Sequence, residues 1–174
     1  RRHAVSCGVA VKSALADFLA TNEGGPNALP TGFNSLDELL GGGFKDGTVT
    51  ILAARPGIGK SALALWFTLA AAHHGKKTSF ISLEMSATEC GGRLLTASSG
   101  QRRSYSKGGY SHENISELHD TANAMKSWPI RFKDDAEDSI DSIVAFVQRE
   151  SIERGVDLVV VDYLQLVNAP GESP

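Results

Sequence analysis

The stretch Thr48-Val49-Thr50-Ile51-Leu52-Ala53-Ala54-Arg55-Pro56-Gly57-Ile58-Gly59-Lys60-Ser61-Ala62 constrains this chain more than any other. An apolar, β-prone run over Thr48–Ala53 feeds a Pro/Gly turn, then Gly-Lys-Ser, then a long apolar helical segment. That order of strand, loop and helix is the layout of a phosphate-binding loop. Glycines at 57 and 59 let the backbone curl so that successive N–H groups face phosphate oxygens. The following helix adds the positive end of its dipole. Lys60 supplies a mobile cation for the β- and γ-phosphates, and the Ser61 hydroxyl is placed to reach Mg²⁺. The loop from Arg55 through Gly57, Ile58 and Gly59 to Lys60, Ser61 and Ala62 is therefore the expected nucleotide-contacting segment. The first glycine of the strict motif falls on Ala54.

The 174 residues, 41% of them apolar, are enough for one compact core. A net charge of −3 argues against a general nucleic-acid coat. Cys7 and Cys90 sit in no metal-ligand or CxxC spacing and read as reduced thiols of a cytoplasmic protein. No apolar run is of membrane-spanning length, so no membrane partner is expected. The chain begins Arg1-Arg2-His3 and closes on a Pro/Gly tail, which reads as a piece of something longer.

Val11, Ala14, Leu15, Phe18 and Leu19 recur at helical spacing, followed by a Gly/Pro/Asn linker over 22–27. An amphipathic helix most often covers its own protein's core, and that is the plain expectation here. Ser35-Leu36-Asp37-Glu38 has the form of a capping box opening a short helix that Gly41-Gly42-Gly43 ends. A helix is expected over Lys60–His74, with His73 and His74 as dipole partners at its end rather than metal ligands. Thr78–Leu83 reads as the next strand, making a βαβ unit with Thr48–Ala53. A second capping box, Ser86-Ala87-Thr88-Glu89, opens a helix with Cys90, Leu94 and Ala97 on one face, weakened by Gly91-Gly92 at about 1 kcal/mol each.

Arg102, Arg103 and Lys107 alternate with Tyr105 and Tyr110 in a polar loop. The pattern suits single-stranded nucleic acid, and a solvated loop accounts for it more simply. Ile115, Leu118, Ala122 and Met125 mark a further helix, stopped at Trp128-Pro129. Ile130–Lys133 reads as a short strand leading to Asp134-Asp135, taken as caps of the next helix or solvent-facing acids. That helix carries Ile140, Ile143, Val144 and Val147 and closes at Gly155.

Leu158-Val159-Val160-Val161-Asp162 is a continuous apolar run ending in a carboxylate, the form of a strand buried on both faces. Asp162, about a hundred residues beyond the phosphate loop, is placed to hold Mg²⁺. Glu84, at the tip of a neighbouring strand with no basic neighbour in sequence, is the best candidate for the base that activates water.

At these residues the chain resembles a known family. Thr31-Gly32-Phe33, Leu36-Asp37, Ala53-Ala54-Arg55-Pro56 with Gly59-Lys60-Ser61, Ser82-Leu83-Glu84-Met85-Ser86, Arg93-Leu94-Leu95 and Asp162-Tyr163-Leu164-Gln165-Leu166 occur in the order and spacing of the RecA-like motor of DnaB-type replicative helicases. The resemblance implies an α/β fold: a RecA-like P-loop NTPase, its mainly parallel sheet flanked by helices on both faces, truncated after the Walker B strand. It implies ATP and Mg²⁺ as cofactors, Glu84 as catalytic base, Lys60 and Ser61 as nucleotide and metal contacts, and Asp162 as the Walker B acid. It divides the chain into a linker helix and tether, 1–28, and an incomplete ATPase core, 29–174. The linker helix would pack on the next subunit of a homo-hexamer, which reverses the own-core expectation. Single-stranded DNA, primase or a helicase loader are the implied partners. The family's DNA-binding loops, γ-phosphate-sensing glutamine and arginine finger lie past this sequence, and Gly91-Gly92 stands where the family has larger apolar residues.

Two other readings compete. Leu39-Leu40-Gly41-Gly42-Gly43 also suits a recombination- or clock-type RecA-like ATPase, though Glu84-Met85-Ser86 and Tyr163-Leu164-Gln165-Leu166 fit that group poorly. A nucleotide-binding relic without turnover is the third.

Overall fold

The computed structural model describes residues 4, 6–24, 28–100, 111–136 and 138–163. It contains two compact units, Arg1–Ile51 and Leu52–Pro174. The basic, tyrosine-containing loop with Arg102, Arg103, Tyr105, Lys107 and Tyr110 lies outside the described residues.

In the first unit, helix α1 spans Cys7–Gly24, longer than the apolar periodicity suggested. Its Val9, Val11, Leu15 and Leu19 are all exposed. Strands β1 (Ala28–Leu29) and β2 (Phe44–Lys45) pair antiparallel around helix α2 (Asn34–Leu40). The expected capping box is absent. The cap position falls on Phe33 with no side-chain bond. Asp37 instead accepts the Thr31 N–H at 2.7 Å, tying the helix to the segment before it. Gly41 ends the helix in the left-handed conformation (φ 70°), as its sequence position implied. Gly43 is required by contact: a Cβ there would lie 2.2 Å from the Leu29 carbonyl oxygen.

The second unit is built on a parallel sheet of three strands in the order β4-β3-β5: β4 Ile130–Lys133, β3 Thr78–Ser82 and β5 Leu158–Asp162. Phe80 stands level with Phe132 and Val160. Strand alternation puts Phe80, Phe132, Ile130 and Val160 on one face. They join Ala64, Leu65 and Leu69 of helix α3 (Lys60–His73) and Cys90 and Leu94 of helix α4 (Ala87–Ser98) in the core. Helix α5 (His112–Met125) packs on α4 and adds Met125 to that core. The opposite face carries Ser79 and Arg131, which meet Glu150 of helix α6 (Ile140–Glu153). Helices therefore cover both faces, as expected of this fold class.

The expected first strand is not formed. Thr48–Ala53 belongs to neither sheet, and Val49 and Ile51 are 90% and 78% exposed. A β-prone run becomes a strand only when a ladder takes its backbone groups, and no described strand pairs with this one. The βαβ unit expected between it and β3 is consequently missing.

Some smaller expectations change as well. Ser86 caps α4 by accepting the Glu89 N–H at 3.2 Å, but Glu89 turns to Arg93 (2.7 Å) rather than back to the cap. Asp134 and Asp135 face solvent, as one of the two expectations had it, and Ser139 rather than either of them caps α6; Asp134 also accepts the Ala87 N–H at the start of α4, at 2.7 Å. Ala97 is exposed rather than facing inward with Cys90 and Leu94; His73 does stand in the last turn of α3, as expected, and also packs edge-on against Trp128, ring centroids 5.0 Å apart.

Candidate nucleotide site

The phosphate-binding loop opens with a turn in which Ile58 N–H approaches the Arg55 carbonyl at 3.4 Å. Gly57 and Gly59 take φ of 78° and 106°, and an added Cβ at either would meet nothing within 4 Å. Conformation, not crowding, demands glycine at both. Gly59 is the cap residue of α3 and its carbonyl accepts the Leu63 N–H at 3.0 Å. No side chain caps this helix, whereas α4, α5 and α6 each have a serine in that role. The opening N–H groups of α3 therefore have no side-chain cap and lie at the positive end of the helix dipole, an arrangement suited to an anion. Arg55, Gly57, Ile58, Gly59 and Ala62 are exposed along this loop, and Ser61 is partly buried in the first turn.

The C-terminal edge of the sheet supplies the acids. Ser82 is level with Asp162, and the Leu83 N–H donates to the Asp162 carbonyl at 2.8 Å, so the tips of β3 and β5 are locked together. Asp162 is 3% exposed. Its Oδ1 lies 3.8 Å from Lys60 Nζ, and its Oδ2 is buried with no hydrogen-bond partner among the described residues. Lys60 and Asp162, distant in sequence, are thus brought together. Behind them, Ser82 Oγ accepts the Met85 N–H at 3.1 Å and so shapes the turn carrying Glu84. Burial pushes the adjoining Cys90 thiol up, and Glu89 and Asp162 add to that, against the Ser82 hydrogen bond and Arg93; the group stays a neutral thiol beside the acid. Glu84 sits two residues past Ser82 at the same sheet edge, its carboxylate in solvent and free of any described hydrogen bond or ion pair.

Tyr163, quoted in the sequence only as part of the family signature and given no role there, has its ring centroid 3.8 Å from Lys60 Nζ. It lies just past the end of β5, where strand alternation gives no guide to the direction of its ring.

Residues 28–173 match the family described as the DnaB-like helicase C-terminal domain. This chain belongs to that family. The DnaB-like domain is 36% identical over 164 residues to the replicative DNA helicase DnaB of Leifsonia xyli, covering 92% of this chain and 36% of the relative. It is 35% identical to the DnaB of Rhodothermus marinus, covering 97% and 18%. A probable plasmid replicative DNA helicase of Chlamydia muridarum is 31% identical, covering 91% and 36%. The DnaB-like domain thus spans about a third or less of the length of these relatives. In fold it matches a solved structure described as an ATPase domain, with a TM-score of 0.83 at 24% identity over 98% of this chain and 62% of the other. It also matches a DnaB-like replicative helicase studied with its primase interactions, with a TM-score of 0.79 at 24% identity over 98% and 42%.

The residues of the DnaB-like site fit a magnesium nucleotide. An uncapped helix N-terminus and an ammonium suit phosphate. A buried carboxylate oxygen lacking a partner is the hard, anionic ligand that Mg²⁺ takes.

Proposed function

We propose that this chain is the nucleotide-hydrolysing part of an ATP-driven replicative DNA helicase motor. The observation carrying that reading is the buried, half-unpartnered Asp162 facing Lys60 across an uncapped helix N-terminus. The loop N–H groups and Lys60 bind the β- and γ-phosphates, and Arg55, Ile58 and Ala62 flank them. Ser61 and Asp162 hold Mg²⁺, which when bound offsets the charge developing on the phosphate oxygens. Glu84 accepts a proton from water as the water oxygen attacks the γ-phosphorus and the bond to the β-phosphate oxygen breaks, leaving ADP and phosphate.

Turnover of this kind serves translocation on single-stranded DNA and duplex unwinding by a homo-hexamer, with primase or a loader as further partners. The exposed Val11, Leu15 and Leu19 stripe of α1 supports residues 1–28 as a linker helix and tether that docks on a neighbouring copy, with residues 29–174 as the ATPase core. Two free thiols, one exposed and one buried, support a cytoplasmic setting. No described helix is long and apolar enough to cross a membrane. The recombination- or clock-type reading rests on Leu39–Gly43, whose glycines end α2 and make room for the Leu29 carbonyl, while the match of residues 28–173 to the DnaB-like helicase C-terminal domain favours the helicase reading.

The test is ATP hydrolysis by the full-length protein with and without single-stranded DNA. DNA-stimulated turnover is expected in the wild type, abolished in Lys60→Ala and reduced about 10²- to 10⁴-fold in Glu84→Gln. Turnover indifferent to DNA would favour a regulatory ATPase, and none at all would favour a relic.

A further inference from the structure

The mechanism leaves unused the aromatic ring next to Asp162. Lys60 Nζ stands 3.8 Å from Asp162 Oδ1 and 3.8 Å from the centroid of the Tyr163 ring. The first distance is too long for a hydrogen bond. A flexible ammonium facing a buried carboxylate ordinarily closes to about 2.8 Å. Here it stops an ångström short, over a ring face whose negative quadrupole attracts it. The Lys60 side chain is 24% exposed and that of Asp162 3%, so water competes weakly for either contact.

We infer that Tyr163 is a positioning residue whose ring face holds the Lys60 ammonium beside Asp162 rather than against it. A lysine closed onto Asp162 would occupy the oxygen needed for metal and withdraw the cation needed for phosphate. Held by the ring, it leaves Asp162 Oδ1 without a direct hydrogen bond from it, beside the partnerless Oδ2, and stays within reach of the loop. The attraction needs the π-face, so phenylalanine serves and an aliphatic residue does not. The lysine–ring contact is independent of any ligand, while its consequence for binding rests on the ATPase reading above.

The experiment uses the full chain with ¹³C-labelled lysine ε-carbons, the Lys60 signal being identified by its loss in Lys60→Arg. Its ε-methylene protons should be shifted upfield by the ring, unchanged in Tyr163→Phe and returned to the ordinary position in Tyr163→Leu. Binding of a fluorescent Mg·ATP analogue should weaken about tenfold in Tyr163→Leu and stay within about twofold in Tyr163→Phe. An unshifted Lys60 signal in the wild type overturns the inference. Equal affinity in wild type and Tyr163→Leu, or equal losses in Phe and Leu variants, overturns the positioning role as well. A shifted signal in a wild type that binds no nucleotide would support the lysine–ring contact and refute the ATPase reading instead.

Discussion

Asp162→Asn should stabilise the ligand-free chain while removing its response to magnesium nucleotide. The carboxylate is 3% exposed, Oδ2 has no described partner, and the paired ammonium stands 3.8 Å from Oδ1. A buried polar atom without a partner costs about 1–3 kcal/mol. The Lys60 pair returns about 1 kcal/mol at most, since the lysine keeps some solvent contact. An amide of the same shape has no charge to desolvate, and the backbone bond from Leu83 to the residue 162 carbonyl remains. The net gain is about 1 kcal/mol, or about 2–4 °C in melting temperature for a chain of this size. Mg·ATP at a hundredfold excess over its dissociation constant adds about 2.7 kcal/mol to the wild type, about 5–10 °C, and nothing to the variant. The order of the two melting temperatures should therefore reverse when Mg·ATP is added, as read by thermal unfolding in circular dichroism. A variant that melts below the wild type without ligand would refute the burial argument. An equal upward shift in both proteins would refute the role of Asp162 in metal binding.

Two further outcomes follow from contacts away from the site. Glu150, 2% exposed, accepts from Arg131 Nη1 at 2.5 Å and Arg154 Nε at 2.7 Å; burial pushes its pKa up, and the two arginines outweigh that and hold it below its ordinary value of 4.5. Glu150→Ala should cost about 2–3 kcal/mol at pH 7, less than a fully buried pair because Arg131 is 51% exposed and can be rehydrated. A depressed folded-state pKa places this stabilisation above 4.5 and loses it as pH falls toward the lowered value, so the gap between wild type and variant should narrow in urea unfolding at pH 3 and be full at pH 7; a constant gap refutes the linkage. Gly43→Ala should destabilise by about 2–3 kcal/mol, because its Cβ would meet the Leu29 carbonyl and its φ of 124° disfavours any side chain. A loss under about 0.5 kcal/mol in urea unfolding would show that the backbone yields there.

Local chemistry was legible wherever a residue type acts through its own neighbours in sequence. Gly57, Gly59 and Lys60 announce a phosphate loop because curl, cation and helix start are adjacent along the chain. β3 and β5 were legible from their apolar runs, and the helix ends at Gly41 and Gly155 from glycine's access to positive φ. The fold class followed from the order of these elements. Thr48–Ala53 misled because β propensity is realised only through a partner strand, and a partner is a tertiary fact. The capping boxes misled in part because Asp37 accepts a backbone N–H outside its own helix and Glu89 pairs with Arg93 instead of reaching back to its cap.

The sequence by itself determined which groups carry charge and which loop has the glycines and helix start suited to an anion, since those depend on residue type and short-range spacing. Only the tertiary structure decided that Lys60, Asp162 and Tyr163 share one point, that Asp162 keeps an oxygen without a partner, and that Glu150 draws Arg131 and Arg154 together across a strand and a helix. Those relations depend on strand order and packing, which bring residues a hundred positions apart within a few ångströms and are written in no local pattern.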